Sequence, residues 1–347
     1  MPLLLHCTVL SVTFCTVSVA ESANIHWDGR FEMSISAYSL FADNEQQIPN
    51  EGLFPYDIIT PLFTDYAEKD RFLFLPKGTS MTYREYAPFD FPIGAALVKT
   101  FSYPKDFRQP ELGRRLIETR LLLHTENGWK GAAYVWNEDH SDAKLKVAGA
   151  VIDVEWFHHD GTPKGTQYLV PNMNQCKHCH RGTGTTLPIG PTARQLNRPY
   201  LNSKSQLNDW VEKKILNEKP DPEHIPKIAQ WENVDEFNVA DRALAYIDIN
   251  CAHCHNPTGL ASYTRLDLTY TQADPHRRGV MKKPTAAGNS SRGRFFAIVP
   301  GDPEASFLLH RLKSTEPHIR MPQTGRTMVH EEGVLLIAEW IKSLVPE

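Results

Sequence analysis

Two short stretches carry reactive residues at a repeated spacing: Cys176-Lys177-His178-Cys179-His180 and Cys251-Ala252-His253-Cys254-His255. Each reads C-x-x-C-H, the spacing at which two thiols bond one haem and the next imidazole reaches its iron. Thiols one helical turn apart meet the two vinyl groups of a porphyrin, and the following histidine falls beneath the ring. The same residue types also serve a four-ligand zinc site or a redox dithiol. Two copies, each with its trailing histidine, favour two covalently attached haem c groups over both. Cys176, Cys179, Cys251 and Cys254 are then the attachment points, and His180 and His255 the proximal ligands.

The 347 residues carry a net charge of −4, and the carboxylates of two haems would add to it. An acidic chain speaks against nucleic acid and suggests redox partner proteins with cationic faces. Six cysteines are present, and the two outside the motifs, Cys7 and Cys15, lie in the first twenty residues. That stretch has no Asp, Glu, Lys or Arg, is apolar over 9–20 apart from small hydroxyl residues, and ends Ser18-Val19-Ala20. Small-x-small before a cut is the signature of a signal peptide, here without the usual positive start. The segment is short for a membrane span. Residues 1–20 are therefore expected to be removed on export. The mature chain would be periplasmic or secreted, with no stable span and no cysteine spare for a disulfide.

The elements that must position the motifs change character along the chain. Residues 33–41 form a helix-like patch in a polar lead-in. Strand alternation follows at 72–75, 81–86, 96–103, 115–124, 129–137, 145–157 and 166–170. Asn127-Gly128 and Asp160-Gly161 are hairpin signals, because these pairs supply the positive φ that tight turns need. Seven short strands predict an antiparallel sandwich-like β domain over 21–170. A first haem segment, 171–235, has a short helix at 192–197 and an amphipathic one at 205–216. A second haem domain, 236–347, has a helix over 236–250 entering the second motif and another over 333–344 with Leu336, Ile337, Trp340 and Ile341 on one face. A helix leading into C-x-x-C-H and a C-terminal amphipathic helix are the pair that cross in a cytochrome c domain. The expected fold class is α+β and multidomain: the β domain, then α-helical cytochrome c-type haem domains.

Several runs together carry a resemblance. They are Trp129-Lys-Gly, Tyr134-Val-Trp136-Asn, Tyr168-Leu-Val-Pro171-Asn-Met-Asn-Gln175-Cys176 and Ala193-Arg-Gln-Leu-Asn197. With them go Asn250-Cys251, Pro300-Gly-Asp-Pro-Glu-Ala-Ser306, Arg320-Met321-Pro322 and Glu339-Trp340-Ile341. The combination is similar to a family of exported bacterial dihaem c-type cytochromes with a β-rich N-terminal domain and a C-terminal cytochrome c-like domain. The resemblance spans most of the chain after residue 20 and implies no particular physiological role.

The sixth ligands remain to be placed. For the second haem the candidates are His276, Met281, His310, His318, Met321, Met328 and His330. Met321 leads because Pro322 follows it, as in the loop that lays a thioether over the ring in cytochromes c, and Met328 is its nearest rival. A thioether ligand raises the reduction potential, which suits electron transfer. For the first haem, 181–223 contains neither Met nor His. His158 is the leading cap, delivered by the hairpin at Asp160-Gly161, with His159, His124, His140 and His224 as alternatives. Alternation lets only one of His158 and His159 face the ring. Arg115, Arg120 and Asp235-Glu236 read as solvated charges. His330-Glu331-Glu332 lacks the second histidine of a zinc helix, and Gly182-Thr-Gly184 lacks a phosphate-loop ending.

The leading functional expectation is an electron carrier between redox partners rather than a catalyst. The alternative is a dihaem peroxidase-like oxidoreductase with an open first haem. A surface-binding role for the β domain rests on aromatic content alone.

Overall fold

Alternating apolar residues between 53 and 145 build one six-stranded antiparallel sheet. The computed structural model describes residues 21–180, 187–285 and 288–345; the expected signal peptide and Cys7 and Cys15 lie outside them. A small ribbon of β1 (Phe41–Asp43) and β2 (Ile48–Pro49) comes first. The sheet follows in chain order: β3 (Leu53–Pro55), β4 (Glu68–Phe74), β5 (Ala96–Pro104), β6 (Arg114–Thr125), β7 (Gly128–Trp136) and β8 (Ala143–Leu145). A separate hairpin, β9 (Ala150–Phe157) with β10 (Pro163–Val170), packs on its lower end.

The two sheet faces do different work. On one, Phe72, Val98, Leu121, Leu123 and Tyr134 bury the N-terminal segment through Ile25, Phe31, Ile35 and Tyr38. On the other, Leu73, Leu97 and Leu122 meet two short helices, α2 (Ala193–Leu196) and α3 (Gln206–Glu212), through Leu196, Leu207 and Trp210. Further along that face Phe101, Tyr103 and Ala133 pack against Trp156 and Tyr168 of the hairpin. Between these two apolar patches the first motif helix, α1 (Met173–Cys179), rests on β7. The last core joins α4 (Val239–Ile247), α5 (Phe307–Lys313) and α6 (Glu331–Ser343) around Tyr246, Leu309, Leu312, Ile337 and Trp340.

The expected fold class is corrected on two points. The β part is a single sheet with a hairpin on it, not a sandwich of two sheets. The part after Pro171 is not built as α-helical cytochrome c-type domains: the six α-helices among the described residues are short, the longest having 13 residues, and the described structure is β-rich. The periodicities at 205–216 and 236–250 are real, but local breakers shorten both helices. Lys214 takes φ 58, which ends α3, and α4 gives way at Asp248 to a π-helical turn, Asp248–Ala252. With 25 prolines and 20 glycines in the chain, the stretches between helices are loops tied down by side-chain hydrogen bonds.

Smaller differences have similar causes. The expected strand at 81–86 survives only as isolated bridges at Met81 and Thr82, and the patch at 33–41 is a single 3-10 turn, Ile35–Tyr38. The first hairpin turns on Glu126-Asn127, because Gly128 already pairs with Thr125 and takes the positive φ of 81° itself. No described helix is long and apolar enough to cross a membrane.

Candidate functional site

The first motif is set by a capping box. Asn172 accepts from the Gln175 backbone N–H at 2.9 Å, and the Gln175 side chain accepts from the Asn172 N–H at 2.9 Å, which starts α1 three residues before Cys176. The helix can lie on β7 because Gly131 has no side chain: a Cβ there would stand 3.2 Å from that of Cys176. His180 closes the helix. Its Nδ1 donates to the Leu187 carbonyl at 2.7 Å, and its own carbonyl accepts from Leu187 at 2.6 Å. Nε2 is left for another partner, the arrangement by which a ligating histidine is oriented.

The second motif follows α4 without a break. Residues 248–252 are all buried. Asp248 pairs with Arg194 at 2.8 Å and accepts from the Tyr270 N–H. Asn250 accepts from the Phe63 N–H and donates to the Tyr246 carbonyl, both at 2.9 Å. His255 repeats the pattern of His180. Thr264 gives its hydroxyl proton to the Ala261 carbonyl, so its oxygen accepts from His255 Nδ1 at 3.2 Å and Nε2 is again free. Burial pushes both His180 and His255 down to about 4, so both rings are neutral and ligand-competent at neutral pH.

Cys251, Cys254 and His255 line a cleft of about 310 Å³ that Met321, Pro322 and Thr324 also line. That falls within the roughly 300–1,000 Å³ of cofactor clefts. Arg326 holds the Met321 loop. Only 4% exposed, it donates to the carbonyls of Met321, Met328, Arg311, Leu312 and Ser314. Asp65 holds the other side of the loop, accepting from the backbone of Thr327 and Met328 and from the Thr327 hydroxyl. Asp65 and Tyr66 take left-handed φ of 48° and 64° to do so, a strain of order 1–2 kcal/mol each that these bonds offset. Met328 turns away from the cleft and packs beside Phe101, Tyr103 and Trp156.

The remaining sequence candidates stand elsewhere. His158 is 6% exposed but accepts from Trp156 Nε1 at 3.4 Å, faces Glu332 at 4.0 Å and meets the Tyr66 ring. It is committed to the contact between the β9–β10 hairpin and α6, and the structure does not bring it to His180. His159 packs on Phe107, and His124 stacks on Trp129. His140 accepts from the Leu116 N–H. His224 joins Asp221 and Glu223 in an exposed cluster. In the second region His318 pairs with Glu316 at the mouth of the cleft, and His330 is boxed by Phe63, Tyr66 and Trp231. The cavity of about 200 Å³ beside Cys179 and His180 is lined by one further histidine, His253.

Sequence reasoning missed how closely the motifs approach each other. Cys179 and Cys254 are hydrogen-bond neighbours, and His253 sits beside them. The Cys254 and His253 contacts hold the Cys179 thiol well below its ordinary value, while Cys254, as donor, is raised. Thr324, from the Met321 loop, lies 3.8 Å from Cys179. Yet the four thiols do not converge on one point. Among the described residues the single converging group of metal-type side chains is the exposed Asp221, Glu223 and His224, which argues against a shared zinc site. Arg326 and Asp65 carried no motif signal, and His253 stood at a variable position inside the second motif; a Gly-Arg beside a Met-Pro loop is the most the sequence offered.

Comparison with protein-family models, with curated proteins and with solved structures finds no match for this chain.

Proposed function

We propose that the chain is an exported dihaem c-type cytochrome that carries electrons between redox partner proteins. The observation that carries this reading is the contact between Cys179 and Cys254. The second thiols of two attachment motifs, 75 positions apart in sequence, meet in space, so groups held on them would be neighbours. A bound haem supplies the iron that accepts and gives up one electron. The chain's residues supply the rest. Cys176, Cys179, Cys251 and Cys254 anchor, His180 and His255 offer oriented Nε2 atoms, and Met321 offers a thioether in the second cleft. Thr264 and the Leu187 carbonyl fix the imidazoles, and Arg326 and Asp65 fix the loop that carries Met321.

One observation favours the second reading, a peroxidase-like first haem. Neither His158 nor any other upstream candidate lines the cavity at His180. An open position there would bind carbon monoxide or peroxide.

Intact mass after acid–acetone extraction tests the main reading. Cys176→Ala with Cys179→Ala should remove one haem mass, and Cys251→Ala with Cys254→Ala the other. An apo mass in the wild type, or zinc in place of iron, overturns it. Met321→Ala should abolish the methionine–iron charge-transfer band in the red and leave the first haem unchanged. The same loss in Met328→Ala, without it in Met321→Ala, reassigns the ligand. Rapid high-spin reaction with peroxide in the wild type selects the enzyme reading.

A further inference from the structure

The sheet face beneath the first motif carries an arrangement of charge that folding alone does not explain. Across three neighbouring strands, Arg71 stands opposite Lys99 and Lys99 opposite Arg120. In the next row Lys69 stands opposite Phe101. Like charges directly opposite on adjacent strands destabilise a sheet. Two of the four cations are matched within the chain. Arg71 pairs with Asp57 at 2.9 Å, and Arg120 with the fully buried Glu118 at 2.5 Å. Lys69 and Lys99 have no carboxylate within ion-pair distance among the described residues. Lys69 donates to the Ala67 carbonyl, and both ammoniums lean on the Phe101 ring at 5.8 and 5.4 Å. The Arg120 guanidinium covers the same ring at 4.3 Å.

Arg120 was expected to be solvated. It is three-quarters buried, and its Nε is a buried donor with no partner. Glu118 Oε2 is an equally orphaned acceptor. Lys69 and Lys99 are half-buried, and holding two unmatched ammoniums partly out of water costs free energy that a cation–π contact offsets only in part, at about 0.5–2 kcal/mol each. Burial and the neighbouring guanidiniums push Lys99 down to about 7 and Lys69 well below its ordinary value. The patch lies between the two apolar cores of this face, beside the motif. Arg120 acts electrostatically on Cys176, and Lys99 on Cys179 and His180.

We propose that Lys69, Lys99 and Arg120 form a carboxylate-binding floor beneath the first C-x-x-C-H turn, and that it takes the carboxylates of the group attached at Cys176 and Cys179. The inference rests on the dihaem reading for the identity of the ligand, but not for the existence of the floor. With Arg120 neutralised by Glu118, the two ammoniums balance two carboxylates in charge, and the guanidinium edge adds a donor. Cations so near a redox centre stabilise its reduced form, so the floor would raise the first potential. A small free organic acid has the same carboxylate chemistry and is the other source to be separated.

The test uses the protein purified with its haems, the variants Lys69→Met and Lys99→Met, and their double. Neither lysine has a carboxylate partner to strand, so the variants keep the fold. Removing Lys99 should lower one of two midpoint potentials by about 59 mV, a tenfold change in the one-electron equilibrium. The double variant should lower it further, with the other potential unmoved. Calorimetric titration with citrate and with succinate should show no binding to the loaded protein. Unchanged potentials in all three variants overturn the haem assignment. Citrate binding to the loaded wild type that weakens tenfold or more in the variants, with potentials unchanged, gives the floor to a free acid instead. If mass shows no haem at all, the dihaem reading has failed, and citrate titration of the haem-free chain alone decides whether the floor exists. No binding there ends the proposal.

Discussion

The two C-x-x-C-H regions share a sequence pattern and differ in how the fold completes them. The second is closed by the chain itself. A buried turn carries the thiols, and the loop that brings Met321 is held by the five carbonyl contacts of Arg326 and by Asp65. The first is completed by a sheet. A capping box starts its helix, Gly131 seats Cys176, and nearby lie Lys99, Arg120 and Glu118; besides the motif's own Cys179 and His180, His253 is the one sulfur- or imidazole-bearing residue among the described residues that line the cavity. One region is finished by a loop that brings Met321 to the cleft and the other by charge. Identical motifs therefore do not imply identical sites.

The largest way to break this contrast is Arg326→Met. Five carbonyls would lose a buried charged donor, at a cost of about 3 kcal/mol or more. The Met321 loop should loosen, so the methionine signature of the second site should weaken while the first site's spectrum stays unchanged. Denaturant unfolding with absorption spectra of each haem checks both outcomes. An equal loss at the two sites would show that the loop serves both.

The limits of the sequence can be judged from these residues. Strands β5 to β7 were legible from their runs of apolar and β-branched residues, and their expected bounds lie within a residue of the observed ones, whereas β4 starts four residues earlier than expected and the expected strand 145–157 divides between β8 and β9. The two motifs stand out in sequence by their repeated spacing and Met321 by the Pro322 that follows it, and the structure brings Met321 to the cleft of Cys251, Cys254 and His255. The helical half was not, because periodicity reports an apolar face and not a length. Ser205 and Asn238 cap real helices, but a left-handed Lys214 and a π-helical turn end them early. His158 misled for a related reason. The hairpin at Asp160-Gly161 exists, and only tertiary packing decided that its histidine meets Tyr66 and Glu332. Arg120 read as solvated because its partner Glu118, two residues away, carries no sign in sequence of being fully buried.

A second substitution acts on the second region through backbone approach. Gly333 in α6 lies against α4, and a Cβ there would stand 2.3 Å from the Tyr246 hydroxyl oxygen. Gly333→Ala must displace the Tyr246 ring, and with it the hydroxyl contact to His330, or part the two helices, at a cost of about 1–3 kcal/mol despite alanine's better helix propensity. A lowered unfolding midpoint is expected. An unchanged or raised midpoint would mean that the α4–α6 contact yields without strain. In the first region the matching change is Tyr168→Phe, which removes the 2.6 Å bond from the Tyr168 hydroxyl to Glu118. The expected cost is about 1.5 kcal/mol, since the acceptor is a buried carboxylate. In the dihaem reading the potential of the haem held at the first motif should shift and that of the second should not; movement of both would erase the electrostatic distinction between the regions.

The last effect, read as a slope and not as a loss at one pH, separates the regions by pH. Burial pushes His330 down to about 4, and its Nδ1 shares a 2.9 Å hydrogen bond with the Tyr246 hydroxyl. Unfolded, the same ring titrates near 6.5. Between about 6.5 and 4 the unfolded chain binds the extra proton and the native chain does not, so this stabilisation is present above the unfolded value and is lost as pH falls toward the folded one. One proton limits the slope to about 1.4 kcal/mol per pH unit. His180 and His255 have the same depressed values, but each has an oriented Nε2. In the dihaem reading, an iron bond there would persist in the denatured chain, because the haem would be covalent, and would lessen the proton difference at those two rings. His330 has no such partner. Unfolding free energies of the haem-loaded protein, measured from pH 7 to 4.5, should therefore fall more gently in His330→Gln than in the wild type. A wild-type slope that His330→Gln leaves untouched would mean that the acid sensitivity belongs to the ligand histidines, and so that their nitrogens are free to take up protons.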